Sequence, residues 1–178
     1  MPFGFFKKEK DKKYEKAAKL LAEEKYEKAI SLLEEVLEVD PEHTNALTSM
    51  GVAMVSMHVN PNLADPSIAE GLDYLNRAAE IDPEDPVPIF NKAVLLRKLN
   101  RPDEAIEAFK EVLEIEERQP LALLHIAEIN YELERWETAI EYARRALIRD
   151  PGLKEVMKWV PEAMEKAGML DEEQTDQK

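Results

Sequence analysis

The chain contains no cysteine and only three histidines among its 178 residues. Without cysteine, disulfides, thiolate metal sites and cysteine nucleophiles are excluded. His43, His58 and His125 do not show the spacing of four residues that a helical metal site needs. Glycine-rich phosphate loops and nucleophile elbows are also missing. We therefore expect a protein that is not an enzyme and that binds no cofactor and no metal.

Long apolar runs and positive charge are scarce as well. No run of 18 apolar residues occurs, so we expect no stable membrane insertion. The first ten residues, MPFGFFKKEK, lack the apolar core of a secretory signal, and we expect a cytoplasmic protein. With 38 acidic against 24 basic residues, the net charge is −14. This balance argues against nucleic-acid binding, which needs a basic surface, and is compatible with basic or neutral partners.

What positive charge exists is concentrated at the N-terminus. Residues 1–20 carry seven lysines against three acidic residues, and Phe3, Phe5 and Phe6 precede most of them. We interpret residues 1–9 as an aromatic and basic segment. Its rings could cover the open end of the first helix pair, which is the interpretation we favour, or contact an anionic membrane surface.

The stretch 86–153 consists of one 34-residue pattern written twice. Eight positions are identical between the copies, whereas chance would give about two. The identical pairs are Pro86/Pro120, Ala93/Ala127, Leu99/Leu133, Arg101/Arg135, Ala105/Ala139, Ile106/Ile140, Glu107/Glu141 and Leu113/Leu147. Apolar residues recur at helical spacing in each copy, Pro102 opens a second helix and Asn100 is suited to end the first. A fixed period of this length is typical of stacked helical hairpins.

These residues resemble the tetratricopeptide repeat family, which places small residues where two helices pack and a proline at the repeat end. The same pattern extends upstream to residue 10, with small residues and prolines at the matching positions. They are Ala17, Ala29 and Pro41, then Gly51, Gly71 and Pro83, and in the last copy Ala127, Ala139 and Pro151. The resemblance implies an all-α, right-handed superhelical solenoid of four helix–turn–helix repeats. We place these repeats at 10–43, 44–85, 86–119 and 120–153.

The second repeat contains eight additional residues in the segment 58–67. Two prolines and two asparagines oppose a regular helix there, and Asp65 or Ser67 is suited to cap the next helix. The insertion is interpreted as a tolerated surface loop, and a recognition loop stays open as the alternative.

Residues 154–170 are predicted to form a ninth helix that caps the last pair. Val156, Met157, Val160, Met164 and Ala167 form its apolar stripe, and we expect Pro161 to bend the helix or to restart it. Trp159 lies off this stripe, which favours edge cover over an exposed anchor. Gly168 is expected to end the helix, and the acidic residues 171–178 are expected to be disordered.

The resemblance also implies that the first helices of the repeats line a concave, peptide-binding groove. Positions spaced i, i+4 and i+7 lie beside the packing face of each first helix, and most of them are apolar or aromatic. The predicted groove residues are Tyr14, Leu21, Thr48, Val52, Val55, Val87, Phe90, Asn91, Val94, Arg97, Leu121, Leu124, Glu128 and Tyr131. Short side chains such as Val52 and Val94 could instead complete the core, whereas Phe90 is large for that purpose.

The sequence thus predicts a protein-interaction adaptor whose largely apolar groove holds a peptide or helix of a protein partner. A self-associating structural scaffold is the alternative, so a homo-oligomer stays open. Chaperone-binding members of the family grip a peptide carboxylate with cations on three first helices. The matching positions here include Tyr14, Val87 and Asn91 and supply no such cations, which disfavours that ligand.

Overall fold

The computed structural model describes residues 3–57 and 65–169, with side chains from residue 11 onward. Within those residues it contains nine α-helices and no β-strand, so the predicted all-α class is confirmed. The helices are α1 (Phe3–Ala22), α2 (Tyr26–Val39), α3 (Thr44–Ser56), α4 (Pro66–Ile81), α5 (Val87–Lys98), α6 (Pro102–Ile115), α7 (Pro120–Glu132), α8 (Trp136–Arg149) and α9 (Val160–Lys166). A short 3-10 helix, Pro151–Glu155, lies between α8 and α9.

Proline and a capping side chain set the beginning of several helices. Pro66, Pro102 and Pro120 occupy the first helical position, where the missing N–H costs nothing. Asp65, one of the two predicted capping residues, caps α4, because its carboxylate accepts a hydrogen bond of 2.9 Å from the backbone N–H of Ser67. The first helix begins earlier than predicted, at Phe3 rather than near residue 10.

Three tight turns each join one helix to the next along the chain. Glu24, Asn100 and Glu134 adopt the left-handed region, with φ of 56°, 57° and 58°. In each turn the next residue donates its N–H to the carbonyl five residues before it, at 2.9, 3.0 and 2.8 Å. This is the Schellman arrangement, which satisfies the last carbonyls of a helix. The predicted helix end at Asn100 is therefore confirmed, and the same turn recurs 34 residues later.

The chain divides into two compact units, Met1–Arg101 and Pro102–Lys178. In the N-terminal unit, α1, α2 and α3 enclose one apolar cluster, which includes Ala17, Leu33 and Met50. A second cluster joins α3, α4 and α5 and includes Leu75 and Leu95. Contact between successive helices thus gives this unit a continuous core.

Helices α3 and α4 approach each other through two glycines. A Cβ on Gly51 would lie 2.5 Å from the carbonyl oxygen of Gly71 and 2.7 Å from Cγ of Leu75. A Cβ on Gly71 would lie 2.9 Å from a methyl group of Val55. Only glycine fits either position without movement of a neighbour, so the backbones themselves form this contact.

The C-terminal unit has its core between α7, α8 and the segment that follows them. Ala127 and Ala143 form a buried cluster there with Met157, which lies beyond the 3-10 helix, and Ala139 and Phe109 are also fully buried. The stretch 154–170 is not one continuous helix, because α9 begins only at Val160, with Pro161 in its first turn. Gly168, at φ 67°, follows the end of α9, as expected.

Several sequence predictions lie outside the described residues. They concern the insertion from residue 58 to residue 64, the side chains of the first ten residues, and the C-terminal segment 170–178. The boundaries of the four repeats stay a prediction. In the described part of the chain, every helix is too short or too polar to cross a membrane.

Candidate peptide-binding face

Three first helices lie side by side in the N-terminal unit, since α3 contacts both α1 and α5. Eight of the predicted groove residues on these helices keep part of their surface accessible, and we call them the first-helix face. They are Tyr14 and Leu21 on α1, Val52 on α3, and Val87, Phe90, Asn91, Val94 and Arg97 on α5. Val87 is the most open apolar member, with 51% of its surface exposed.

Two side chains hold the backbone of Val87 in place. Its N–H donates to Oδ1 of Asp85 at 2.9 Å, and its carbonyl accepts a hydrogen bond of 2.9 Å from Nδ2 of Asn91. The exposed side chain therefore projects from a backbone whose polar groups are satisfied. Such a position is preorganised for contact, because little further ordering is needed when a ligand binds.

Three predicted groove residues belong to the core instead. Thr48, Val55 and Leu124 are only 8%, 4% and 7% exposed. The hydroxyl of Thr48 donates to the carbonyl of Thr44 at 2.9 Å, and Val55 packs with the cluster that joins α3, α4 and α5. The spacing i, i+4, i+7 follows a stripe that turns towards the neighbouring helix, so part of it is buried by helix packing. These three residues are removed from the candidate site.

Helix α7 of the C-terminal unit repeats one feature of α5. Leu121, which lies 34 residues after Val87, is 44% exposed. Its N–H donates to Oε1 of Gln119 at 2.8 Å, as that of Val87 does to Asp85. An exposed apolar residue that directly follows a proline at the beginning of the helix is thus common to both units. The sequence signal is the pair of dipeptides Pro-Val and Pro-Leu at matching repeat positions.

Further along α7, His125 contacts both an aromatic ring and a carboxylate. The ring of His125 stacks on Phe109, with centroids 4.9 Å apart. Its Nδ1 lies 3.6 Å from Oε2 of Glu128. These contacts hold the middle of the helix surface in a fixed arrangement.

Tyr131, at the end of α7, is covered by the segment that contains α9. Its ring stacks on Trp159 at 4.7 Å and meets Trp136 edge-on at 5.5 Å. Its hydroxyl donates to Oε2 of Glu162 at 2.9 Å, and this hydrogen bond raises the pKa of Tyr131 above the ordinary value. Trp159 therefore serves as edge cover, as expected, although its buried Nε1 has no hydrogen-bond partner among the described residues.

Metal binding or catalysis would need particular groupings of polar side chains. Among residues 11–57 and 65–169, no three carboxylate or histidine side chains come together as metal ligands could. The most strongly organised polar groups are helix caps and surface ion pairs, such as the pair of Lys13 and Glu35 at 2.6 Å. Such surface pairs contribute little to stability and suggest no reaction.

Comparison with protein families gives two matches, both described as tetratricopeptide repeat. They cover residues 14–43 and 90–154, together just over half of the chain. A search of curated proteins found no sequence that matches this chain.

Solved structures share the fold at low sequence identity. The crystal structure of MamA superimposes with a TM-score of 0.71 at 14% identity, over 90% of this chain and 83% of that one. YrrB, described as a TPR protein with an unusual peptide-binding site, gives a TM-score of 0.64 at 17% identity, over 88% and 76% of the two chains. The complex of Naa15/Naa10 bound to HypK-THB gives 0.67 at 16% identity, over 90% of this chain but 23% of the matched one. At this identity the likeness concerns the fold alone.

Proposed function

The chain belongs to the tetratricopeptide repeat family, and from that premise we propose that it is a non-catalytic adaptor for a peptide or helix of a partner protein. The ligand lies on the first-helix face of the N-terminal unit. The absence of catalysis is part of the proposal and rests on family membership. The peptide-binding site named for YrrB supports a peptide ligand in a protein of the same fold.

The observation that carries the proposal is the exposure of Val87 on a fixed backbone. A valine with 51% of its surface in water gains on the order of 1 kcal/mol when a ligand covers it. Phe90 and Val94, three and seven residues further along α5, extend the apolar surface on the same side of the helix. Asn91 and Arg97 add polar groups at its edge, which suits a peptide with an apolar face.

Val87→Glu tests the face without disturbing the core, because the side chain already projects into water. We expect this variant to lose the partners that the wild-type chain captures from native extract, as identified by mass spectrometry. The matched control is Val39→Glu at the end of α2, since Val39 is 56% exposed and lies on a second helix. Equal capture by both variants would remove the first-helix face from consideration.

Phe90→Ala provides a second, quantitative measurement. We expect the binding free energy of a captured partner to weaken by about 2 kcal/mol, as for an interface anchor. The unfolding free energy should fall by less than the roughly 3–5 kcal/mol that a core phenylalanine contributes. Phe109→Ala is the control for the core, because Phe109 is fully buried in α6. If Phe90→Ala unfolds the protein as readily while the folded fraction binds normally, Phe90 is a core residue.

Self-association through the same face is the remaining alternative. An exposed valine serves a second copy of the chain as well as it serves a different protein. Sedimentation at several concentrations separates the two, since a monomer at all concentrations excludes the scaffold.

A further inference from the structure

Two adjoining cavities open in the C-terminal unit beside α8 and α9. The larger has a volume of about 460 Å³ and the smaller of about 300 Å³, and Leu147 and Val160 line both. Their other apolar walls include Met157, Ile140 and Met164. Cavities of this size and character can hold large side chains of a ligand.

The cavities exist because α9 is a short cover. In the described part of the chain, α2, α4 and α6 each contact the following helix, which has 13, 12 and 13 residues respectively. Helix α8 is contacted instead by the five-residue 3-10 helix and by α9, which has only seven residues. Part of the apolar side of α8 therefore remains open, and Ile148 beside the smaller cavity is 69% exposed.

The lining of these cavities is positively charged within an acidic chain. Arg144, Lys154 and Lys158 contribute three cations, against the single carboxylate of Glu155. None of the three cations forms an ion pair with another described residue. The net charge of the chain is −14, so this cationic rim is a local exception.

We infer that this α8–α9 surface binds an amphipathic helix of a partner protein, with apolar residues on one side and acidic residues at its edges. The apolar side of the ligand fills the two cavities, and its carboxylates pair with Arg144, Lys154 and Lys158. The surface lies in the C-terminal unit and involves no residue of the first-helix face. It is therefore a second binding site, independent of the adaptor site proposed above.

Other occupants fit less well. Residues 170–178 of this chain are acidic, but they contain one large apolar residue, Leu170, which cannot fill two cavities. A second copy that used the same surface would bring its own Arg144, Lys154 and Lys158 against these three cations. A foreign acidic helix satisfies both the apolar walls and the charged rim.

A synthetic ligand tests the inference on the full chain. The probe is a fluorescein-labelled helical peptide of about 18 residues, with leucines three and four apart and glutamates elsewhere. Its twin carries lysine in place of every glutamate. By fluorescence anisotropy we expect the glutamate peptide to bind at least about tenfold more tightly, with a difference that shrinks as salt increases.

Two variants locate the site, and both change exposed positions so that the fold is retained. Lys154→Glu combined with Lys158→Glu should weaken the glutamate peptide by about tenfold or more, and Ile148→Glu should do the same. Val39→Glu, at a position that is also exposed but lies in the N-terminal unit, should leave the affinity unchanged. Circular dichroism and melting temperature confirm that each variant folds.

Four results would overturn the inference. The first is equal binding of the lysine twin, and the second is binding that Ile148→Glu leaves unchanged. The third is binding that appears only after removal of residues 170–178, which would assign the surface to this chain's own acidic segment. The fourth is self-association that Ile148→Glu abolishes in a chain without affinity for the peptide, which would assign it to a second copy.

Discussion

Helices α3 and α4 carry Gly51 and Gly71 at the repeat positions where α7 and α8 carry Ala127 and Ala139. In the glycine pair, the carbonyl oxygen of Gly71 lies only 2.5 Å from where a Cβ on Gly51 would stand, so backbone meets backbone. In the alanine pair, the methyl groups are fully buried between the helices. The same repeat position thus supports two kinds of helix contact, one made by the main chain and one by small side chains.

The connections between the paired helices differ as well. Helices α7 and α8 are joined by a tight turn with Glu134 in the left-handed region. Helices α3 and α4 are joined by the longer stretch from Met57 to Asp65, which includes the insertion. A short turn holds two helices together locally, whereas a long connection leaves their alignment to the helix contact itself. This difference indicates that the glycine contact matters more for its pair than the alanine contact does.

Changing glycine to alanine in the first pair, and alanine to glycine in the second, tests that difference. The change in the glycine pair should have the larger effect on the unfolding free energy. Gly51→Ala should lower the unfolding free energy by about 2 kcal/mol, because the clash with Gly71 and Leu75 exceeds the gain in helix propensity of about 1 kcal/mol. The measurement is chemical denaturation of both variant and wild type.

Ala127→Gly is the matched control in the other pair. It should cost roughly 1–2 kcal/mol, through lost helix propensity and the lost burial of one methyl group. If Gly51→Ala instead stabilises the protein, the approach of α3 to α4 is looser than described, and the two pairs are equivalent.

The sequence predicted more of the helices than of their contacts. The 34-residue period, with Pro102, Pro120 and Asn100, located helix starts and a helix end because these residues act locally on the backbone. It also marked Gly51 and Gly71 as small positions, but not that their backbones touch, since the distance between two helices depends on every side chain in the interface. The restart of α9 at Val160 was one of two outcomes expected from Pro161.

The candidate site was predicted less completely, for a related reason. Thr48, Val55 and Leu124 share the spacing of Phe90 and Val94, yet they are buried by neighbouring helices. Helical periodicity gives the direction of a side chain from its own axis but not the position of the next helix. The α8–α9 surface was not predicted, because it results from the shortness of α9 rather than from any motif in the sequence.

A smaller effect is expected at the turn that distinguishes the two pairs. Glu134 pays the cost of a left-handed conformation, which glycine adopts freely. Glu134→Gly should therefore raise the unfolding free energy by up to about 1 kcal/mol. Asn100→Gly should gain less, because asparagine tolerates this conformation better than glutamate. Thermal denaturation of the two variants gives the comparison, and an equal or reversed order would show that other contacts of Glu134 compensate.

The smallest effect is expected at Tyr131, beside the same turn. Its hydrogen bond to Glu162 raises the pKa of the phenol in the folded state. The bond therefore stabilises the fold fully below the ordinary tyrosine pKa, and this contribution is lost as pH rises through the higher folded value. The chain has two tryptophans, Trp136 and Trp159, and both contact Tyr131, so tryptophan fluorescence reports its ionisation.

Glu162→Ala removes the acceptor of this hydrogen bond and exposes the effect. We expect the alkaline change in fluorescence to shift to lower pH in the variant, towards the ordinary range of tyrosine. Tyr131→Phe should abolish the change altogether and identifies its source. A titration that is identical in wild type and Glu162→Ala would show that Glu162 does not hold the Tyr131 hydroxyl in solution. Tyr131 would then be held against the segment of α9 by stacking on Trp159, without a hydrogen bond to α9.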